Sequence, residues 1–102
     1  MVFQLGASLL DACVLGVLTE GDAYGYTLTQ QVREVIDISE STLYPVLRRL
    51  QKDGLLKTYD EPYQGRNRRY YRITKAGQEK FKFYSQEWKS FRDSINGLLE
   101  KK

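Results

Sequence analysis

Within ten residues the sequence sets out Ser39, Ser41, Thr42, Tyr44 and Arg48: hydroxyls, a phenol and a guanidinium at helical spacing. Further on, Arg66, Arg68 and Arg69 place three guanidiniums in four positions. At neutral pH these groups are hydrogen-bond donors and cations, not nucleophiles or bases. They suit phosphate oxygens, which attract cations, and base edges, which present donors and acceptors in fixed patterns. Catalysis is short of parts. The 102-residue chain has no histidine and one cysteine, Cys13. That excludes a Ser-His-Asp or Cys-His site and any zinc site built on imidazole or four thiolates. No paired-carboxylate, phosphate-loop or metal-ligand spacing occurs. A binding module without metal or cofactor is expected, and no enzyme.

The charge distribution agrees. A net charge of +3 conceals −5 over residues 1–47, +6 over residues 48–75 and +2 over residues 76–102. A basic stretch beside an acidic half is the asymmetry of a chain with one face on a polyanion, although a solvated charged face has the same composition. A single cysteine makes no intrachain disulfide, so a cytoplasmic protein is expected. The opening apolar run lacks a basic stretch and contains Asp11, so neither a leader peptide nor a membrane span is expected.

Periodicity supplies the elements that must carry these groups. Leu9, Leu10, Cys13, Val14, Val17 and Leu18 recur at three- and four-residue spacing, predicting a helix over residues 8–20 with Ser8 as its cap. Leu28, Val32, Val35 and Ile36 predict a second helix over residues 27–35. In the third, Leu43, Val46, Leu47 and Leu50 form the buried stripe and Gly54 the stop. At 100° per residue, Ser41, Pro45, Arg48 and Lys52 then face outward, with Thr42 and Arg49 on one shoulder and Tyr44 on the other. Pro45 costs little if Ser41 is the cap; if Ser39 is the cap, a kink is expected near Ser41. Residues 55–59 and 68–73 have the composition of strands, and Pro62, Gly65 and Asn67 mark a turn over residues 60–67. From a Thr74 cap to about residue 99, Phe81, Tyr84, Trp88, Phe91, Ile95 and Leu98 form a heptad seam. A small core cannot cover that seam along its length, so a second copy of the chain is expected on it.

Three helices followed by a hairpin is the order of a winged helix-turn-helix, here α+β and mostly helical with a two-stranded wing and a long C-terminal dimerisation helix. Residues 1–74 are the expected DNA-binding domain. Residues 75–102 are the dimerisation helix, packed with the first helix in one structural unit. On double-stranded DNA, Ser41, Thr42, Tyr44 and Arg48 are the candidates for base contact. Ser39, Tyr24, Tyr26 and Thr27 are candidates for phosphate, with core packing an equal reading of Tyr24 and Tyr26. In the wing, Arg66 and Arg68 are expected at phosphate or the minor groove, with Arg69 and Lys57 in support. Tyr70 and Tyr71 are expected to support the sheet, one on each face.

Four blocks carry a family resemblance: Leu10-Asp11-Ala12-Cys13-Val14-Leu15, Gly21-Asp22-Ala23-Tyr24-Gly25-Tyr26, the run from Ser39 to Leu50, and the run from Arg68 to Gly77. In these the chain resembles the PadR-like transcriptional regulators. Its short tail is similar to that of the smaller subgroup with one C-terminal helix, which includes repressors of multidrug transporter genes. The resemblance implies a homodimer that represses transcription from a pseudo-palindromic operator. It also implies a second reading of Trp88, as a ring on which planar hydrophobic ligands stack between subunits, with Tyr84 and Phe91 beside it; the first reading is packing in the dimer seam. The rival readings are a ligand-independent DNA-binding accessory protein and a protein-interaction module that uses the long helix.

Overall fold

The computed structural model describes residues 7–101. Residues 1–6 and 102, which begin and end the two expected domains and include part of the apolar opening run, lie outside the described residues. The elements are α1 (Ala7–Leu18), β1 (Ala23–Tyr24), α2 (Gly25–Val35), α3 (Glu40–Lys52), β2 (Leu56–Tyr63), β3 (Arg66–Ile73) and α4 (Lys75–Leu99). Among the described residues no helix is long and apolar enough to cross a membrane.

The core lies where α1, α2 and α3 meet the inner face of the sheet. Val14, Leu15, Leu28, Val32, Leu43, Leu47 and Leu50 are at most 1% exposed. Each such side chain contributes roughly 1.5–3 kcal/mol of burial. Helix α1 touches α2, α3, α4 and β3. That explains why Leu15, outside the expected stripe, is fully buried while Leu9, Cys13 and Val17 are half-buried. A helix enclosed on several sides does not follow a one-stripe pattern. Ser8 lies inside α1 and is not its cap.

Helix α3 begins at Ser39, whose hydroxyl accepts the Thr42 N–H at 3.2 Å. It runs without interruption through Pro45, and the Ser41 carbonyl that Pro45 leaves without a helical N–H lies between two exposed residues. Its end is a Schellman motif on Gly54 at φ +78°. The Leu55 N–H reaches the Leu50 carbonyl at 2.9 Å and the Gly54 N–H the Gln51 carbonyl at 3.0 Å.

The hairpin differs most from expectation. Its strands extend to Tyr63 and Arg66, and the turn is only Gln64-Gly65, both at positive φ (50° and 79°), the geometry of a tight two-residue hairpin. Pro62 pairs with Asn67, next to the turn-closing pair. There an antiparallel ladder points the amide away from its partner, so the missing N–H costs nothing. A third strand, β1, pairs with β3 through Ala23↔Tyr71 and Tyr24↔Tyr70, giving the order β1-β3-β2. The expected two-stranded wing is thus tied by β1 to the start of α2, which begins at Gly25, two residues before the expected Thr27.

Helix α4 is capped by Thr74, which accepts the Gly77 N–H at 3.0 Å. Its 25 residues make a rod of about 38 Å. Only Gly77 and Tyr84 of this helix are buried. Along the seam Phe81, Phe91 and Ile95 are half-buried, whereas Trp88 and Leu98 are exposed. The rod leaves the body: the radius of gyration is 15.2 Å, against about 13 Å for a compact chain of this length.

Candidate nucleic-acid interface

The N-terminal turn of α3 is exposed and carries a hydroxyl cluster. Ser39 Oγ lies 3.0 Å from Ser41 Oγ and 2.9 Å from Thr42 Oγ1. One turn on, Tyr44 and Arg48 continue the exposed face while Leu43, Val46 and Leu47 point into the core. Orphan amides and the positive end of the helix dipole favour an anion at this end, and Glu40 in the first turn offsets part of that field.

Beside this face runs an open trough of about 490 Å3 between the start of α2, α3 and the inner face of β3. Tyr24, Tyr26, Tyr44, Arg48, Arg69 and Tyr71 line it, and no carboxylate does. Gly25 forms part of its wall: a Cβ there would stand 3.2 Å from the Tyr71 ring, which would have to give by a few tenths of an ångström to admit it. Arg48 has no hydrogen bond or ion pair among the described residues. Arg69 has only a distant Asp60 carboxylate at 3.7 Å. Two cations with spare donors therefore flank a cleft rimmed by phenols. Burial holds the Tyr71 hydroxyl above its ordinary value, and Arg69 partly opposes that.

The opposite face of the sheet spends its cations internally. Tyr24, Tyr70 and Tyr59 stand in one row across the three strands, with centroids 5.9 and 5.6 Å apart. The Arg68 guanidinium sits 4.4 Å from the Tyr24 ring and 3.5 Å from the Tyr63 ring, a cation held by two aromatic faces. Asp22 accepts the Tyr59 hydroxyl at 2.7 Å and Arg72 Nε at 3.0 Å. The Tyr59 hydrogen bond, then Arg72, holds this carboxyl below its usual range.

The sequence-selected residues thus divide. Tyr26, Tyr44, Arg48 and Arg69 meet around the trough, Tyr24 borders it while its ring lies with Tyr70 and Arg68 on the far face, and Ser39, Ser41 and Thr42 crown the adjoining helix end. Arg66 is exposed next to the turn at the wing tip. Arg68 and Lys57 belong to the far face, and Thr27 lines a second cleft with Glu20, Asp22 and Glu34. Tyr70 and Tyr71 do take opposite faces.

A third concavity, of about 450 Å3, lies between α1 and α4. Leu9, Cys13, Ile36, Phe81, Tyr84 and Trp88 are among its lining, which contains no charged residue. The Trp88 and Phe91 rings are 6.2 Å apart. Burial raises the Cys13 thiol above its ordinary value, so it is mostly uncharged at neutral pH. Sequence reasoning missed the group behind this groove. Asp11, 4% exposed on α1, is gripped by both terminal nitrogens of Arg49 at 2.5 and 3.0 Å and accepts the Tyr84 hydroxyl at 3.2 Å. The signal was there: a carboxylate inside an apolar stripe requires a cation. Among the described residues there is no His/Cys/Asp/Glu group suited to a metal.

Comparison with known proteins gives one consistent result. The family model described as "Transcriptional regulator PadR-like family" matches residues 14–83. A crystal structure of a Streptococcus mutans protein superposes with a TM-score of 0.88 at 36% identity, covering 98% of this chain and 94% of that one. A PadR family transcription regulator from Clostridium difficile gives a TM-score of 0.80 at 31% identity, covering 88% and 97%. A transcriptional regulator of Mycobacterium tuberculosis is 42% identical over 65 residues, 63% of this chain and 61% of that one.

Proposed function

Since the chain belongs to the PadR-like family of transcriptional regulators, a family of DNA-binding proteins and not of enzymes, we propose that it is a cytoplasmic repressor that binds a pseudo-palindromic operator as a homodimer. The observation that carries this reading is the trough: Arg48 and Arg69, with donors to spare, both line a cleft that adjoins the exposed N-terminal turn of α3. Helix α3 enters the major groove, with Ser41, Thr42, Tyr44 and Arg48 toward the bases. Ser39, Tyr24 and Tyr26 lie toward the backbone, and Arg66 leads the wing to the neighbouring phosphates or minor groove. Arg69 ranks above Arg68, Lys57 and Thr27, because it shares the side of α3.

Residues 1–74 act as the DNA-binding head and residues 75–102 as the dimerisation helix, the two packed as one unit through α1. Of the expected seam, Phe81, Trp88, Phe91, Ile95 and Leu98 face the second copy, whereas Tyr84 is turned into its own chain against Asp11. A planar hydrophobic ligand that stacks on Trp88, beside Tyr84 and Phe91, would release the operator; the uncharged α1/α4 groove supports that reading over a ligand-independent accessory protein.

The test is a titration of a duplex carrying the chain's own promoter, against a random duplex, at several salt concentrations. Each lost phosphate contact removes about one from the slope of log affinity on log salt. Arg69→Ala and Arg66→Ala are expected to weaken both duplexes alike and to flatten that slope. Arg48→Ala is expected to cost more on the promoter, by about 1–3 kcal/mol if the contact is to a base. Equal affinity for the two duplexes, with no effect of Arg48→Ala, would refute operator recognition.

A further inference from the structure

Asp11 is a point at which α1, α3 and α4 are joined by polar bonds. Its carboxylate lies on α1 behind the α1/α4 groove, and both oxygens are occupied. Arg49 of α3 donates to Oδ1 at 2.5 Å and to Oδ2 at 3.0 Å. Tyr84 of α4 donates to Oδ2 at 3.2 Å. A carboxylate this buried is costly without partners, so movement of one donor must be answered by the others. Tyr84 is suited to its part: burial, then the Asp11 charge, holds its hydroxyl protonated and able to donate. Its ring at the same time lines the groove with Leu9, Cys13, Phe81 and Trp88. At the other end, Arg49 directly follows Arg48, which faces the trough.

We propose that Asp11 and Tyr84 are positioning residues for DNA binding: through Arg49 they set the pose of α3, so that the content of the α1/α4 groove is felt at the DNA-facing surface. The inference rests on the DNA-binding reading above. An occupant of the groove shifts α3 only by as much as it prefers one arrangement over the other. The two arrangements are the Tyr84 hydroxyl on Asp11 and the same hydroxyl displaced from it. In the second, Arg49 alone answers the carboxylate, and its hold on α3 changes. This is a discrete two-state contact, the kind of element through which coupling is carried.

The experiment uses the chain's one cysteine as a handle. Cys13 lines the groove, so N-benzylmaleimide, applied at mildly alkaline pH because burial raises the thiol, seats an aromatic ring there. Affinity for the promoter duplex is then measured by fluorescence anisotropy, before and after labelling, in wild type and in Tyr84→Phe, which keeps the ring and removes only the donor. Labelling is expected to weaken wild-type binding by about fivefold or more, the lower end of ordinary allosteric coupling. Labelled to the same extent, Tyr84→Phe is expected to change by less than about twofold, below that coupling range. Arg49→Lys, which replaces the two-pronged grip by a single ammonium, is expected to lose the label's effect as well, and it provides the same test should Tyr84→Phe not fold. An equal loss in wild type and variants, through subunit dissociation or otherwise, overturns the proposal. So does unchanged affinity of fully labelled wild type. Failure of unlabelled wild type to bind any duplex overturns the DNA-binding reading, and this inference with it.

Discussion

Two carboxylates, Asp11 inside and Asp22 outside, organise much of the aromatic and cationic content of this chain. Asp11 engages Arg49 and Tyr84, and Asp22 engages Arg72 and Tyr59. Tyr71 is core, and Tyr24, Tyr63 and Tyr70 form the aromatic face that holds Arg68. Of the eight tyrosines, Tyr26 and Tyr44 are thus the ones left exposed beside the trough without such a task. The same division makes a prediction about pH. Burial raises the hydroxyls of Tyr71 and Tyr84, and the hydrogen bond to Asp22 raises that of Tyr59. A group whose folded value lies above its unfolded value of about 10 stabilises the fold fully below that pH and loses its contribution as pH rises through the folded value. Stability should therefore fall as pH climbs past about 10, and three of eight tyrosines should ionise late in a native absorbance titration. Asp22 runs the other way. Its contribution is present above its unfolded value and is lost as pH falls through the lower folded one. A native titration superposable on the one in denaturant would contradict these assignments.

Between elements, the contact most sensitive to a single atom is Gly77 in the first turn of α4. A Cβ there would strike the Leu55 carbonyl oxygen and stand 2.7 Å from Ile73 Cγ1. Backbone cannot yield as a side chain can, so Gly77→Ala should destabilise the fold by about 1–3 kcal/mol despite alanine's better helix propensity. Urea unfolding measures it; a stabilised variant would show that α4 can shift off β3. The elements also mark how far the chain could be read in advance. Helix α3 was legible because its apolar residues repeat at 3.6 and its cap and stop are local chemistry. The trough was not, because it joins Tyr24 and Tyr26 to Arg69 across more than forty residues and depends on β1, a two-residue strand too short to leave a pattern. The hairpin was misjudged in length because Pro62 and Asn67 are turn-formers by composition, whereas ladder register decides their place. Arg68 and Arg69 look alike in sequence. The pleat sends one to the tyrosine face and the other to the trough, and only the register says which.

On the scale of the whole molecule, extents of 59 × 26 × 21 Å describe a compact head with a projecting rod. Leu98 and Leu99 are 65% and 77% exposed on that rod, and Val35 is 79% exposed near the groove it shares with Trp88. Apolar surface of this kind in one copy is the signature of a subunit contact. In the proposed dimer, Leu98→Glu should weaken self-association by at least about tenfold, equivalent to ~1.4 kcal/mol. Because Leu98 touches little of its own chain, any fall in the unfolding midpoint should come from the lost partner alone and so depend on protein concentration. Sedimentation velocity across a dilution series tests this, and an unaltered dimer would place the subunit contact elsewhere on the molecule.

The sheet has two open edges, and each is closed to strangers by different means. Strand β1 offers only two residues to an incoming strand. The eight-residue outer edge of β2 carries Lys57, Asp60 and Glu61, and its last residue but one is Pro62, with no amide to donate. An extended, β-rich hairpin of this length would otherwise be a template for intermolecular pairing and fibrous aggregation. The proline that disguised the strand in the sequence thus also acts as a gatekeeper: in the proposed dimer two copies would join through α4 and not through the wing.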